Sequence, residues 1–210
     1  MVDCFIRDSG RRCGPRCAPI LLLALIVLLA SGCAHRVADD YPAYLERTAG
    51  DSALGQTRAA SEYVQPAPSR GFSYEFRALS SGIANRWIVD IGQMLDDQLQ
   101  SADVQAAFNG LDKVDIPNGV RTGLLTFELQ GYDFDDFSAN IALKVTYYNA
   151  GQTVLSKTYT ATGRSQAMKM MLAGAFGQKN AVQQSTKRAI DAILAQLIED
   201  LNASGDRRAR

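Results

Sequence analysis

The chain has 210 residues, with 22 basic and 22 acidic side chains, one histidine and 47% hydrophobic residues. This composition can form a core, and the length suits one modest domain behind a targeting segment. The balanced charge excludes the basic stripe that nucleic-acid binding requires, so no nucleic-acid partner is expected.

The first 32 residues predict a secretory signal peptide. Arg7, Arg11, Arg12 and Arg16 make the start of the chain basic, and an apolar run over residues 20–30 follows. This run is shorter than the about 20 residues that cross roughly 30 Å of hydrocarbon comfortably. A basic start, a short apolar run and small residues at the end are the parts of a cleaved signal.

The end of this run, Leu29-Ala30-Ser31-Gly32-Cys33, resembles the lipobox of bacterial lipoproteins. The resemblance implies that the Cys33 thiol carries diacylglycerol, that the chain is cut before Cys33, and that the new amino group is acylated, for example with palmitate. Ala34 replaces the aspartate that retains enterobacterial lipoproteins in the inner membrane, so an outer-membrane location facing the periplasm is expected. The alternatives are a plain signal peptide and a single transmembrane anchor.

All four cysteines, at positions 4, 13, 17 and 33, lie in or directly after this segment. The mature chain would therefore contain no free thiol, which excludes a disulfide framework and a cysteine metal site. Cleavage also removes four basic and two acidic residues, which leaves 18 basic against 20 acidic residues. We expect neither a metal nor a cofactor.

The mature chain divides by composition. Residues 33–70 predict the lipidated cysteine and a flexible linker, because they are polar and end in Gln65-Pro-Ala-Pro-Ser69. A linker of this length reaches some tens of Å. Residues 71–203 predict the folded domain, and residues 204–210 a basic, frayed tail.

The predicted domain is α+β. A strand is expected over 72–79, a helix over 83–101 with Trp87 near its start, and a final helix over 179–202. Between the helices, three strands alternate apolar and polar residues, and Asn149-Ala-Gly-Gln152 predicts the hairpin turn between the last two. The predicted fold is an antiparallel or mixed sheet of about four strands with two helices packed on one face.

No catalytic constellation is predicted. His35 is the only histidine and lies in the expected linker, and the acidic group Asp133-Phe-Asp-Asp136 is typical of a solvated turn. A carboxylate pair of Glu128 with Asp133 or Asp135 is conceivable for hydrolysis, but nothing in the sequence supports it. The chain lacks the serine-nucleophile and phosphate-binding motifs, so we expect a protein that is not an enzyme.

One apolar segment stands out between the last strand and the last helix. It contains the candidate partner-binding residues Met168, Met170, Met171, Leu172 and Phe176. Methionines are adaptable and frequent at binding surfaces. The alternative is that Met171, Leu172 and Phe176 close the end of the core.

Two blocks of sequence carry a family resemblance. Tyr159-Thr-Ala-Thr162, Ala173-Gly-Ala-Phe176 and the last helix are similar to the YajG-type outer-membrane lipoproteins. Ala84-Asn-Arg-Trp87 with Met94-Leu-Asp-Asp-Gln-Leu99 resembles the auxiliary lipoproteins of ABC-type lipid-transport systems. The resemblance covers residues 71–203 and implies an α+β fold like the N-terminal domain of TolB, with no catalytic residues.

Three functions follow as hypotheses. The first is a non-catalytic outer-membrane lipoprotein that assists envelope assembly or lipid trafficking and binds an envelope protein partner through a sheet edge or the methionine-rich segment. The second is a transport auxiliary that binds lipid or glycan on its exposed sheet face. The third, disfavoured, is a periplasmic enzyme. The oligomeric state is left open.

Overall fold

The computed structural model describes residues 34–77, 85–115, 122–166 and 174–208, which contain eight strands and five α-helices. The strands are β1 (Ala34–Arg36), β2 (Glu62–Val64), β3 (Tyr74–Phe76), β4 (Arg86–Val89), β5 (Asp112–Lys113), β6 (Thr122–Asp135), β7 (Ser138–Asn149) and β8 (Gln152–Arg164). The helices are α1 (Tyr41–Arg47), α2 (Ala67–Arg70), α3 (Ile91–Leu99), α4 (Ala102–Phe108) and α5 (Gly174–Arg208), and a 3₁₀ turn (Ala38–Asp40) precedes α1.

A five-stranded sheet of order β5-β2-β6-β7-β8 forms the centre of the fold. Strands β6, β7 and β8 form an antiparallel meander, whereas β2 runs parallel to both β5 and β6. The β7–β8 turn consists of Ala150 and Gly151, with φ angles of 50° and 76°. Two positive φ angles in a two-residue loop match the twist of a hairpin. The three strands predicted between the helices are confirmed, as is this turn, whereas the strand predicted over 72–79 is shorter (Tyr74–Phe76) and belongs to a different sheet.

A second sheet of order β1-β4-β3 contains only short strands. Strand β1 pairs parallel to β4, and β3 pairs antiparallel to it. The prediction of one helix over 83–101 is wrong in its described first part, because β4 occupies Arg86–Val89 and α3 begins at Ile91. Trp87, Ile88 and Val89 are all buried, and consecutive buried aromatic and β-branched residues fit a strand better than one face of a helix.

Helix α5 packs on the large sheet, and α3 lies beside it, where Tyr63 of β2 donates a hydrogen bond to Asp96 at 2.8 Å. Helix α5 contacts β7, β8 and α3. Its buried side chains recur at helical spacing and confirm the predicted stripe: Val182, Thr186, Ala189, Ile190, Ile193, Leu194, Leu197, Ile198 and Leu201. Where α5 crosses β8, a Cβ on Gly163 would collide with the carbonyl oxygen of Ser185, so the helix can approach only at a glycine.

The prediction of a flexible linker over residues 33–70 is wrong for 34–70. This segment contributes β1, α1, β2 and α2, and it belongs to the compact unit Ala34–Arg210. Val37, Tyr41 and Tyr63 are fully buried. A few large apolar side chains are enough to hold a polar segment when partners distant in sequence bury them.

The α+β class is confirmed, but the element counts differ from the prediction of about four strands and two helices. The described residues form two sheets, one mixed with five strands and one with three, and three further α-helices accompany α3 and α5. The extra elements are two to seven residues long. Such short elements carry too few residues for a periodic pattern to reveal them.

Candidate binding surface

The large sheet has one face that no described helix covers. Side chains alternate along each strand, so the residues between the buried positions of β6, β7 and β8 point to this open face. It is polar: Glu128 pairs with Lys144 across β6 and β7 at 3.4 Å. The Thr146 and Ser156 hydroxyls lie 3.3 Å apart across β7 and β8. Glu128, one member of the carboxylate pair considered for hydrolysis, therefore forms an ion pair with a lysine.

A shallow depression of about 510 Å³ lies on this face. Its floor contains Gly131, Ala142 and Thr160, which are cross-strand neighbours. The space exists because Gly131 has no side chain and Ala142 has only a methyl group. Asn140 and Thr162 lie at its side, where the Thr162 hydroxyl donates to Asn140 Oδ1 at 2.6 Å.

The acidic residue Asp133 also lines the depression, as do Tyr132, Ile141 and Ala161. Its Oδ1 accepts a hydrogen bond from the Tyr74 hydroxyl at 2.9 Å. Burial, and then the hydrogen bond to this carboxylate, raises the pKa of Tyr74. Hydroxyl, amide and carboxylate groups around a shallow floor are suited to hydrogen bonding with a polar ligand.

Strand β8 forms one edge of the large sheet. It is 13 residues long, pairs with β7 on one side, and has no strand partner on the other side among the described residues. At the usual rise per residue it presents roughly 40 Å of edge. It contains no proline, but Lys157 and Arg164 are charged residues of the kind that discourages edge pairing, and Lys157 Nζ lies 2.7 Å from Asp200 Oδ2.

The direction of the β8 backbone groups follows from two hydrogen bonds. The Ser165 amide continues the ladder by donating to Phe137 O at 3.0 Å, while Arg164 O accepts outward from Arg188 Nη1 at 2.5 Å. Inward and outward residues alternate in an antiparallel ladder. The amides and carbonyls of Ser156, Thr158, Thr160 and Thr162 therefore point away from β7.

A buried ion-pair network lies at the other side of the molecule, between the helices. Lys187 on α5 is 7% exposed, and its Nζ is 2.9 Å from Asp191 Oδ2 and 3.6 Å from Asp103 Oδ2. It also donates to Ser52 Oγ, which donates to Asp191 Oδ2 at 2.9 Å. Burial alone would raise the pKa of the Asp103 carboxyl group. Hydrogen bonds from Gly50 and Ser52 and the charge of Lys187 outweigh burial, so the pKa lies below its ordinary value.

Some hydrolases use a serine next to a lysine, but the lysine must accept the serine proton. Here Lys187 Nζ donates hydrogen bonds to Ser52 Oγ and Asp191 Oδ2 and forms an ion pair with Asp103, so the lysine acts as a donor towards the serine. Gln98 joins the same network, since its Nε2 donates to Lys187 O at 3.1 Å and to Asp191 Oδ1 at 2.7 Å. The Tyr41 hydroxyl in turn donates to Gln98 Oε1 at 2.7 Å. The network ties α1, α3 and α5 together.

Asp97 is the one described carboxyl group whose pKa is shifted far upward. Burial, and then the neighbouring Asp96, raises it to about 6, while Lys113 lowers it. Its Oδ2 is buried and has no hydrogen-bond partner among the residues that the structure describes. Asp97 lies at a cavity of about 350 Å³ that Glu46 also lines. The fold thus favours the neutral form of the Asp97 carboxyl group.

The structure separates the residues that the sequence singled out. Cys33, Met168, Met170, Met171 and Leu172 lie outside the described residues, and Phe176 is described only as part of the α5 backbone. Their predicted roles stay predictions.

The remaining candidates lie in regular structure. His35 is in β1, not in a linker, and its Nε2 lies 3.4 Å from Asn85 Oδ1. Asp133 and Asp135 belong to β6, so only Asp136 and Phe137 form the turn. Sequence patterns could not find the Ser52–Lys187–Asp191 network, because Ser52 lies 135 residues from Lys187.

Within the described ranges, no cluster of three or more histidine, cysteine or acidic side chains is placed to hold a metal ion. The same residues include no helix that is both long and apolar enough to cross a membrane.

No protein-family model matches the chain. No curated protein matches it either. Among solved structures it is similar to protein XCC0632 from Xanthomonas campestris, described under the family model DUF330, with 13% identity and a TM-score of 0.46. That match covers 75% of this chain and 91% of the other.

Proposed function

We propose that this chain is a non-catalytic lipoprotein of the outer membrane, facing the periplasm, that binds an extended segment of an envelope protein along β8. Its role is that of an accessory in envelope assembly or lipid trafficking. Cys33 carries the lipid, as the lipobox-like sequence implies. Two or more acyl chains on one residue hold a protein stably on a bilayer, whereas one chain does so only marginally.

The unpaired edge of β8 carries the proposal. Four consecutive outward positions, Ser156, Thr158, Thr160 and Thr162, offer both an amide and a carbonyl. An added strand takes its affinity from such main-chain hydrogen bonds and its specificity from alternate side chains. The open face supplies these side-chain contacts, because the same four residues place their hydroxyls on it.

Two substitutions of one residue test the edge. Thr160→Pro removes an outward N–H without taking one from the β7–β8 ladder, and proline is tolerated at such edge positions. Thr160→Val keeps the N–H and the branched shape but removes the hydroxyl. Both are made in the full chain, and a photo-crosslinker at Thr158 captures neighbours in intact cells.

We expect one crosslinked envelope protein whose yield falls at least tenfold with Thr160→Pro and stays within about twofold with Thr160→Val. Equal yields from both variants and the parent would contradict binding through the edge. Mass spectrometry of the membrane-extracted protein tests the anchor separately, because an unprocessed N-terminus without added lipid would contradict it.

The depression favours a second candidate, a glycan binder. Asp133, Asn140, Thr160 and Thr162 supply polar groups to its lining, and Tyr132, Ile141, Ala142 and Ala161 supply apolar surface. This combination suits a sugar, which presents both hydroxyl groups and an apolar ring face. In a titration with muropeptides, Thr160→Val would then weaken binding several-fold. Thr160→Pro, which also lacks the hydroxyl group, would weaken binding by at least as much. Copurified phospholipid that is lost with both variants would instead indicate a lipid site.

A further inference from the structure

Strand β1 begins at Ala34, the residue that directly follows Cys33. All three of its residues are paired with β4: Ala34 with Arg86, His35 with Trp87, and Arg36 with Ile88. The next residue, Val37, is fully buried, and its amide donates to Ile88 O at 2.9 Å. Consecutive Cα atoms are about 3.8 Å apart. No flexible chain therefore separates position 33 from the folded unit.

We propose that this unit rests directly on the phospholipid headgroups, through the end of the small sheet where β1 begins. The inference depends on the proposed lipid attachment at Cys33. A linker of the length expected from composition would let the domain move some tens of Å from the bilayer. One peptide bond to a paired strand instead keeps this end at the surface.

The strand register determines which residues lie at that end. Because β1 runs parallel to β4 and antiparallel to β3, the start of β1, the start of β4 and the end of β3 lie together. We call Ala34, Phe76, Arg77 and Arg86 the attachment rim. Ala34, Arg77 and Arg86 are exposed, and Phe76 is partly exposed.

The chemistry of the attachment rim suits lipid headgroups. Two arginines lie there, and a guanidinium group binds phosphate oxygens in a bidentate manner. The Arg86 side chain is 48% exposed, and its partner Glu75 lies 3.4 Å away. Such an exposed pair contributes little and exchanges readily for a phosphate.

Aromatic side chains extend from the attachment rim into the protein. The Phe76 ring lies 5.0 Å from that of Phe134 and 6.4 Å from that of Trp87, measured between centroids. Phenylalanine is among the apolar residues that surface-bound helices place at the boundary between headgroups and acyl chains. The rim thus combines two cations with an aromatic side chain that is anchored in the core.

A fluorescence experiment tests the orientation. The mature chain has no cysteine besides Cys33, so one label can be placed through Arg86→Cys on the attachment rim or, as control, through Ala150→Cys. The attachment rim lies near the β6–β7 turn, because Phe76 contacts Phe134 close to the end of β6. Ala150 lies in the β7–β8 turn, at the opposite end of β7 and roughly 40 Å away along that strand. The lipidated full-length products are reconstituted into phosphatidylethanolamine–phosphatidylglycerol vesicles with a headgroup nitroxide quencher.

We expect the label at position 86 to be quenched at least threefold more strongly than the label at position 150. Inserting a ten-residue Gly-Ser linker between Cys33 and Ala34 should reduce this difference to less than 1.5-fold. Equal quenching at both positions, in protein that mass spectrometry shows to be lipidated, overturns the orientation and leaves the anchor intact. Protein without lipid on Cys33 overturns the anchor and the orientation together.

Discussion

The imidazole of His35 stacks on the indole of Trp87, with ring centroids 4.8 Å apart and 25° between the planes. The two residues are paired in register between β1 and β4. Trp87 is 1% exposed, so His35 and Phe76 cover it from neighbouring strands. The contact between His35 and Trp87 therefore helps to attach β1 to β4.

Trp87→Ala should therefore be strongly destabilising. Removing a fully buried tryptophan leaves a large cavity, and such changes cost about 3–5 kcal/mol of unfolding free energy. His35→Ala is the matched comparison and should cost about 1 kcal/mol, since the ring is only half-buried and contributes one stacked contact. Urea denaturation followed by circular dichroism measures both. Equal losses of unfolding free energy in the two variants would contradict the prediction that burial of Trp87 contributes most of the stability at this contact.

Gly163→Ala should also destabilise the protein. The new methyl group would meet the Ser185 carbonyl oxygen and the Ala189 amide of α5. The helix must then move away from β8, which costs about 2–3 kcal/mol by analogy with overpacked cores. Gly131→Ala is the control, because a Cβ there has its nearest contact at 4.0 Å. A thermal melt in which both variants match the parent would contradict this close approach.

Replacement of the buried lysine tests the network. Lys187→Met leaves Asp191 and Asp103 without their cation, and breaking one side of a buried pair costs about 3–5 kcal/mol. Lys144→Met breaks an exposed pair with Glu128 and should change stability by less than about 1 kcal/mol. Chemical denaturation at pH 7 compares the two. A small loss for Lys187→Met would mean that the packed methionine replaces the ion pairs fully.

Asp97 gives the stability a pH dependence with a defined sign. Its pKa is 3.8 before perturbation and about 6 in the fold, so folding disfavours the charged form. The contribution of this group is therefore most favourable below pH 3.8 and is lost as the pH rises towards 6. Asp97→Asn should stabilise the protein at pH 7.5 and make no difference near pH 3.5. Asp135→Asn, at an exposed position, is the control, and denaturation midpoints at both pH values give the comparison.

The β7–β8 turn offers a stabilising change. Ala150 has a φ angle of 50°, which asparagine adopts with less strain than alanine. Ala150→Asn gives the Asn-Gly pair that two-residue hairpins prefer and should add about 0.5–1 kcal/mol. Ala150→Val is the opposite test, because a β-branched residue is disfavoured at positive φ. A rise in melting temperature with valine would contradict the turn geometry.

The candidate binding surface was only partly accessible to sequence analysis. Alternation along β6 and β7 indicated that the sheet has one buried and one exposed face, since each strand shows its own period of two. The position of β8 at the edge of the sheet could not be predicted from the sequence, because it depends on the order in which the strands pair. The depression forms because the strand register places Gly131, Ala142 and Thr160 side by side, and these residues come from three different strands.

By itself, the sequence determined the three long strands, the β7–β8 turn and the buried stripe of α5, because these depend on periodicity within one segment. Only the tertiary structure decided that residues 34–70 are folded and that Trp87 lies in a strand. These short elements are stabilised by partners far along the chain, as Ala34 is by Arg86. Their free energy comes from non-local pairing and burial, and no local window of sequence contains both partners.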